Sequence, residues 1–136
     1  MPRYMLDTDI CSYVMKRSSD PVLKRLRKIP VGDVCISVIT KCELLYGVEV
    51  SPRRQQDQTA LNAFLSYLEV LEFPDEASSH YAQIRAQLKK SGTLIGSNDL
   101  LIAAHVRSLG LTLVTHNTRE FGRVPSLAIE DWTIAS

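Results

Sequence analysis

Short apolar runs recur along this chain, and each is followed by a stretch with the spacing of an amphipathic helix. Tyr4-Met5-Leu6, Val34-Cys35-Ile36-Ser37 and Leu111 to Thr115 have the length and the apolar or β-branched character of buried strands. Runs this short offer no polar face to solvent, so they belong inside a sheet covered on both sides. Strands alternating with helices make that sheet mostly parallel. The expected class is α/β, with ligand sites beyond the carboxyl ends of strands.

Local signals place the boundaries. Asp7-Thr8-Asp9 can cap a helix carrying Ile10 and Val14. Asp20-Pro21 opens another, with Asp20 as N-cap and Pro21 first in the helix, and puts Val22, Leu23, Leu26 and Ile29 on one face before Pro30 and Gly32 stop it. The helix after Ser37 reaches Gly47, and Ser51-Pro52 starts the next, which carries Leu61, Phe64, Leu65 and Leu68. Val70 to Phe73 reads as a short strand. Pro74-Asp75 begins a helix with Ala77, Tyr81, Ile84 and Leu88 at helical spacing and Gly92 past its end. Ser97 caps an apolar helix from Asp99 to Val106, Gly110 ends it, and a last strand lies near Leu127 to Ile129.

A length of 136 residues suits one domain, 1–136, able to bury a core without metal or disulfide staples. Charges nearly cancel, 16 Lys and Arg against 15 Asp and Glu, so bulk electrostatics favour neither nucleic acid nor membrane. Cys11, Cys35 and Cys42 sit in apolar segments without C-x-x-C spacing, which predicts buried reduced thiols and a cytoplasmic protein. No apolar stretch approaches the roughly 18 residues of a membrane span, and no signal peptide is expected.

The chemistry lies in four acids, Asp7, Glu43, Asp99 and Glu120, each standing where an apolar element meets a turn or helix. Thr40, Glu43 and Gly47 share one helical face, so small groups leave room beside the Glu43 carboxylate, and Asp99 with Ala103 repeats the arrangement. Asp99 also lies in a first helical turn, where the backbone dipole favours negative charge by about 0.3 to 1 kcal/mol. Converging carboxylates repel, and they stay ionised together only with compensating cations or bound protons. Magnesium and manganese prefer oxygen ligands and share them with substrate phosphates, so a phosphodiester becomes the expected substrate.

At these residues the chain resembles PIN-domain ribonucleases, and more closely the VapC toxins of bacterial VapBC toxin-antitoxin pairs. The resemblance covers nearly the whole chain. It rests on Tyr4-Met5-Leu6-Asp7-Thr8-Asp9-Ile10, on Ile36-Ser37-Val38-Ile39-Thr40 running into Glu43-Leu44-Leu45-Tyr46-Gly47, on Ile95-Gly96-Ser97-Asn98-Asp99-Leu100-Leu101-Ile102-Ala103-Ala104, and on Leu113-Val114-Thr115 running through Asn117-Thr118-Arg119-Glu120-Phe121. It implies a three-layer α/β/α PIN-like domain and Mg²⁺-dependent cleavage of RNA, with Mn²⁺ an alternative and transfer RNA the leading substrate. It also implies a homodimer and a VapB-like antitoxin whose carboxyl-terminal segment covers the site, with higher assembly in that complex. Carried onto this sequence, Asp7 and Asp99 become metal ligands, Glu43 completes the acidic pocket, and Glu120 holds a second metal or a water. Thr8, Thr115 and Asn117 are supporting residues. Asp9 departs from the Asn common in the family and adds a charge.

Lys24, Arg25, Arg27 and Lys28 give the second helix a basic outer face that could follow a phosphate backbone. His116 reads as a loop histidine beside the pocket, and His80 and His105 as structural. Two other readings compete. Asp7-Thr8-Asp9 resembles the first motif of haloacid-dehalogenase-type phosphatases, although the late paired-acid motif of that family has no counterpart. A PIN-like module that binds a partner without turnover would keep the acidic pocket but cut nothing.

Overall fold

The computed structural model describes residues 2–134, so the ends of the expected 1–136 unit lie outside the described residues. Five strands form one sheet in the order β3-β2-β1-β4-β5. They are β1 (Tyr4–Leu6), β2 (Val34–Ser37), β3 (Glu69–Leu71), β4 (Thr112–Val114) and β5 (Ala128–Glu130). Every pairing is parallel, with Tyr4 opposite Val34 and Leu6 opposite Val114. The chain builds β1, β2 and β3 outward in one direction and then crosses to β4 on the other flank of β1. That reversal between β1 and β4 is a topological switch point, where ligand crevices open beyond the strand ends.

The strands separate two cores by their period-two alternation. Tyr4, Leu6, Val34, Ile36 and Val114 face a cluster with Ile10, Val22, Leu61, Phe64 and Trp132. Met5, Cys35 and Leu113 face the other, with Ile84, Leu88, Ile102, Val106 and Phe121. The first core is roofed by α1 (Thr8–Lys16), α2 (Asp20–Arg27) and α4 (Arg54–Leu65). The second lies under α5 (Glu76–Lys90), α6 (Ser97–Leu109) and the short α7 (Thr118–Phe121). The remaining helix, α3 (Val38–Glu49), leaves β2 directly and supplies Leu44 and Val48 to the first cluster. The α/β class and the three layers expected from the sequence are both present.

Several boundaries differ from expectation. Ser19 rather than Asp20 caps α2, with its hydroxyl 3.4 Å from Val22 N, because it is the residue that keeps extended backbone. Helix α4 begins at Arg54, not at Ser51-Pro52; the Ser51 hydroxyl instead accepts from Arg53 N and donates to Asp57. Gly96 occupies the cap position of α6, which starts at Ser97 and runs on to Leu109. Gly110, at φ 67°, turns that helix into β4, a left-handed conformation that glycine adopts without strain. Cys11 and Cys35 are buried, but Cys42 is exposed, since residues 42, 45, 46 and 49 form the outer stripe of α3. Among the described residues no helix is long and apolar enough to cross a membrane.

Candidate active site

Asp7 is the first residue after β1 and the N-cap of α1, and it is only 5% exposed. One oxygen accepts from Ile10 N at 2.9 Å, as expected of a cap. The other accepts from Thr115 Oγ1 at 2.5 Å, across the switch point and 108 residues away in sequence. Burial pushes the Asp7 carboxyl up to about 6; the hydrogen bonds from Thr115 and Ile10 oppose the rise, and the charges of Asp9 and Glu43 add to it.

The β4 exit continues the scaffold. Thr115 Oγ1 also accepts from Asn117 N at 2.9 Å, and Asn117 Nδ2 donates to Glu120 Oε2 at 2.5 Å. The other oxygen of Glu120 accepts from Gly96 N at 2.9 Å. A chain of hydrogen bonds thus runs from Asp7 through Thr115 and Asn117 to Glu120, and onward to the cap of α6.

Asp99 and Glu120 share a proton in a carboxyl–carboxylate hydrogen bond. Burial first, then the proton-sharing contact and charge of Glu120, then the charges of Glu43 and Asp7, raise Asp99 to about 7. Burial pushes Glu120 upward as well, but the Gly96 N–H, the Asn117 amide and the Asp99 proton outweigh it, so Glu120 lies below its ordinary value. The two shifts run in opposite directions, so Asp99 is the more readily protonated member of the pair. Glu43 stands between α1 and α6: its Oε1 accepts from Thr8 Oγ1 at 2.5 Å and its Oε2 from Asn98 Nδ2 at 3.3 Å.

The structure therefore brings Asp7, Glu43, Asp99 and Glu120 into one electrostatic cluster, with Thr8, Thr115 and Asn117 bonded to its members. Asp9 is exposed on the first turn of α1 and contributes charge from the rim. Asp7 is buried with both oxygens hydrogen-bonded, whereas Asp9 is exposed, so the two acids of the phosphatase reading sit in different settings. Among the described residues no three acidic, histidine or cysteine side chains are already drawn into a closed metal cage. The carboxylates are instead spread over protein donors. All the donor atoms are oxygen, and a Cβ placed on Gly96 would lie 3.6 Å from Asp99 Oδ2 and 3.8 Å from Glu120 Oε1. The bare glycine keeps a side chain from crowding these two acids, and an all-oxygen donor set suits a small hard cation.

The four basic residues of α2 do not form one group. Arg25 pairs with Glu130 at 3.1 Å and lies over the Trp132 ring at 5.3 Å, whereas Lys24, Arg27 and Lys28 are exposed. His116 follows Thr115 but turns to the carboxyl-terminal segment, where its Nδ1 lies 2.9 Å from Thr133 Oγ1 and 3.3 Å from Asp131. Sequence reasoning missed Asn98 and the Gly96 N–H as partners of the acids. A glycine just ahead of a helix that begins beside an acid was the available signal.

An apolar groove of about 500 Å³ opens between α1, α2 and α4, lined by Val14, Met15, Leu23, Leu26, Phe64 and Leu68, with Arg17 and Arg27 also on its wall.

Residues 4–127 match the family model of the PIN domain. The chain is 45% identical over 132 residues to Ribonuclease VapC2 of Haemophilus influenzae, which covers 97% of this chain and 99% of that protein. It is 41% identical to the tRNA(fMet)-specific endonuclease VapC of Salmonella typhimurium, again over 97% and 99% of the two chains. Among solved structures, DNA-bound VapBC from Salmonella typhimurium superposes with a TM-score of 0.91 at 41% identity, over 97% of this chain and 99% of that one.

Proposed function

This chain belongs to the PIN-domain family, and from that premise we propose that it is an endoribonuclease of the VapC kind, the toxin of a toxin-antitoxin pair, cutting RNA phosphodiester bonds with a divalent cation. The observation that carries the reading is the convergence of four carboxylates from separate elements, two of them raised to about 6 and about 7, by burial first and also by the charges of the neighbouring acids. Relatives of nearly full length are named as ribonucleases, one of them specific for a transfer RNA. Structured RNA, transfer RNA first, is the substrate class we assign.

In this reading the whole chain works as one cytoplasmic domain. Asp7 and Asp99 would hold Mg²⁺ or Mn²⁺, Glu43 would complete the acidic pocket, and Glu120 would hold a second ion or a water. Such an ion, when bound, polarises the scissile phosphate and lowers the pKa of the attacking water. The protein's own part is orientation. Thr115 and Ile10 N fix both oxygens of Asp7, Thr8 and Asn98 fix Glu43, and Asn117 and Gly96 N fix Glu120. The Asp99 proton must leave before that carboxylate can bind a cation, so ion affinity rises with pH. Lys24, Arg27 and Lys28 are available to an RNA backbone, while Arg25 is already committed to Glu130 and Trp132.

We assign the groove between α1, α2 and α4 to a VapB-like antitoxin segment with apolar side chains and an acid to meet Arg17 and Arg27, given that relatives have been solved as VapBC complexes. The exposed Leu45 and Tyr46 of α3, with Val50 just past its end, suit a second copy of the chain in a homodimer, with larger assembly once antitoxin binds.

The test is to express the chain without a partner and sequence the RNA ends it produces, beside Asp99→Asn. Discrete new ends with wild type and none with the variant are expected. The same end profile from both would overturn the proposal.

A further inference from the structure

Helices α3 and α6 pass each other in opposite directions beside the acidic pocket, and a polar contact joins them at each end. At the outer end Asn98 Nδ2 donates to Glu43 Oε2 at 3.3 Å. At the inner end His105 Nδ1 lies 2.7 Å from Ser37 Oγ. Ser37 precedes Glu43 by six residues and His105 follows Asn98 by seven, so the two contacts are separated by roughly 9 to 11 Å of helix.

Their settings differ. The outer contact is exposed, whereas Ser37 and His105 are both 0% exposed. Ser37 is the N-cap of α3, and its hydroxyl accepts from Ile39 N at 3.1 Å, which leaves the hydroxyl proton for His105 Nδ1. The ring proton then sits on Nε2, which is buried without a hydrogen-bond partner of normal geometry. Burial keeps the imidazole neutral by lowering its pKa, against a weaker opposing pull from the backbone of Glu72. The Phe73 ring packs on it edge to face, centroids 5.5 Å apart. A half-satisfied histidine in a buried core is a poor choice for stability compared with an apolar side chain of similar size. What the pair does supply is a fixed register between α3 and α6.

We infer that the buried Ser37–His105 hydrogen bond is a positioning element that holds Glu43 opposite Asp99 while these carboxylates engage a divalent cation. This rests on the ribonuclease reading above. Glu43 cannot give the same lone pair both to Asn98 and to a cation, so the outer contact weakens when the site is used. The inner one involves no ligand and persists.

The experiment measures Mn²⁺ binding by calorimetry on the purified full chain, together with kcat and KM on a transfer RNA pool. His105→Leu removes the bond and keeps the site filled. The expected result is a loss of about 10-fold in Mn²⁺ affinity and in kcat, the scale typical of residues that orient ligands, with KM and cooperative unfolding retained. His105→Asn, whose amide can bond to Ser37 from near the Nδ1 position, restores both to within about threefold of wild type. Mn²⁺ affinity and kcat of His105→Leu within twofold of wild type would overturn the inference, and so would an equal loss in His105→Asn. If His105→Leu fails to fold, Ser37→Ala beside Ser37→Thr decides in its place: loss with rescue supports the positioning role, and equal values overturn it. Failure of wild type to bind Mn²⁺ or cut RNA would count against the ribonuclease reading itself. An active wild type with unaffected variants counts against positioning alone.

Discussion

The acidic pocket has an inner half and an outer half, built by different physics. Asp7 in the inner half is buried at a strand end, with both oxygens taken by Ile10 N and the equally buried Thr115. Asp99, Glu120 and Glu43 in the outer half are half-buried, one pair shares a proton, and Glu43 is tied to the exposed Asn98 by a long hydrogen bond. Folding therefore fixes the inner carboxylate, while charge and protonation set the outer ones. The inner half is a carboxylate already fixed by protein donors, and the outer half a set of acids whose contacts depend on their charge.

Removing either principal acid has the largest expected effect. Asp7→Asn and Asp99→Asn should both reduce RNA cleavage to background, and both should stabilise the metal-free protein at pH 8, where the two raised carboxyls are ionised. A buried carboxyl raised from 3.8 to about 6 costs on the order of 3 kcal/mol when ionised, and the amide sacrifices part of that gain by losing the Thr115 bond. Urea unfolding should show a gain of about 1 to 2 kcal/mol for Asp7→Asn. A destabilised Asp7→Asn would mean that the inner half is not under charge strain.

The pH dependence of stability follows with its sign. Asp7 and Asp99 have folded values, about 6 and about 7, above the ordinary 3.8, so the folded state binds more protons than the unfolded one across that interval. Their stabilising contribution is complete below pH 3.8 and is lost as pH rises through 6 and 7. In chelator, melting temperature should fall over that window, and added Mn²⁺ should restore more at pH 8 than at pH 5. Equal Mn²⁺ shifts at the two pH values would contradict this.

Thr115→Val tests the inner half more gently. It removes one donor from a buried carboxylate, a change of about 1 to 3 kcal/mol, and moves the acid limb of the cleavage pH profile upward because Asp7 loses a bond that lowered its pKa. An unshifted acid limb would show that Asp7 does not set it. The smallest effect on folding is expected from Gly96→Ala in the outer half. Its backbone, φ −56°, suits any residue, and the new methyl would stand at ordinary contact distance from Asp99 and Glu120. The melting temperature should change little while Mn²⁺ affinity falls; unchanged affinity would place the ion elsewhere.

These contrasts also mark how far the sequence could be read. The buried strands, their alternation with helices and the four acids were all visible, because each is signalled by residues within one short window. Thr115 and Asn117 stood out as polar residues next to a strand end, although their bonds to Asp7 and Glu120 depend on how the chain returns. Asn98, the Gly96 N–H and the Ser37–His105 pair were illegible for the same reason: their partners lie 24 to 68 residues away and are brought together only by packing α3, α6 and α7. The cap of α2 was misplaced by one residue because Ser19 and Asp20 are both good caps, and only backbone geometry chooses between them. Cys42 looked buried among apolar neighbours, but its helix turns that stripe outward.

The most direct test of the account is Mn²⁺ calorimetry on the purified, chelator-treated chain as a function of pH. Affinity should climb steeply between pH 6 and pH 8 with protons released on binding near pH 6.5, and Asp99→Asn should bind weakly and release fewer of them. Binding that is independent of pH, or equally tight in Asp99→Asn, would contradict a cation site formed when the outer acids give up their shared proton.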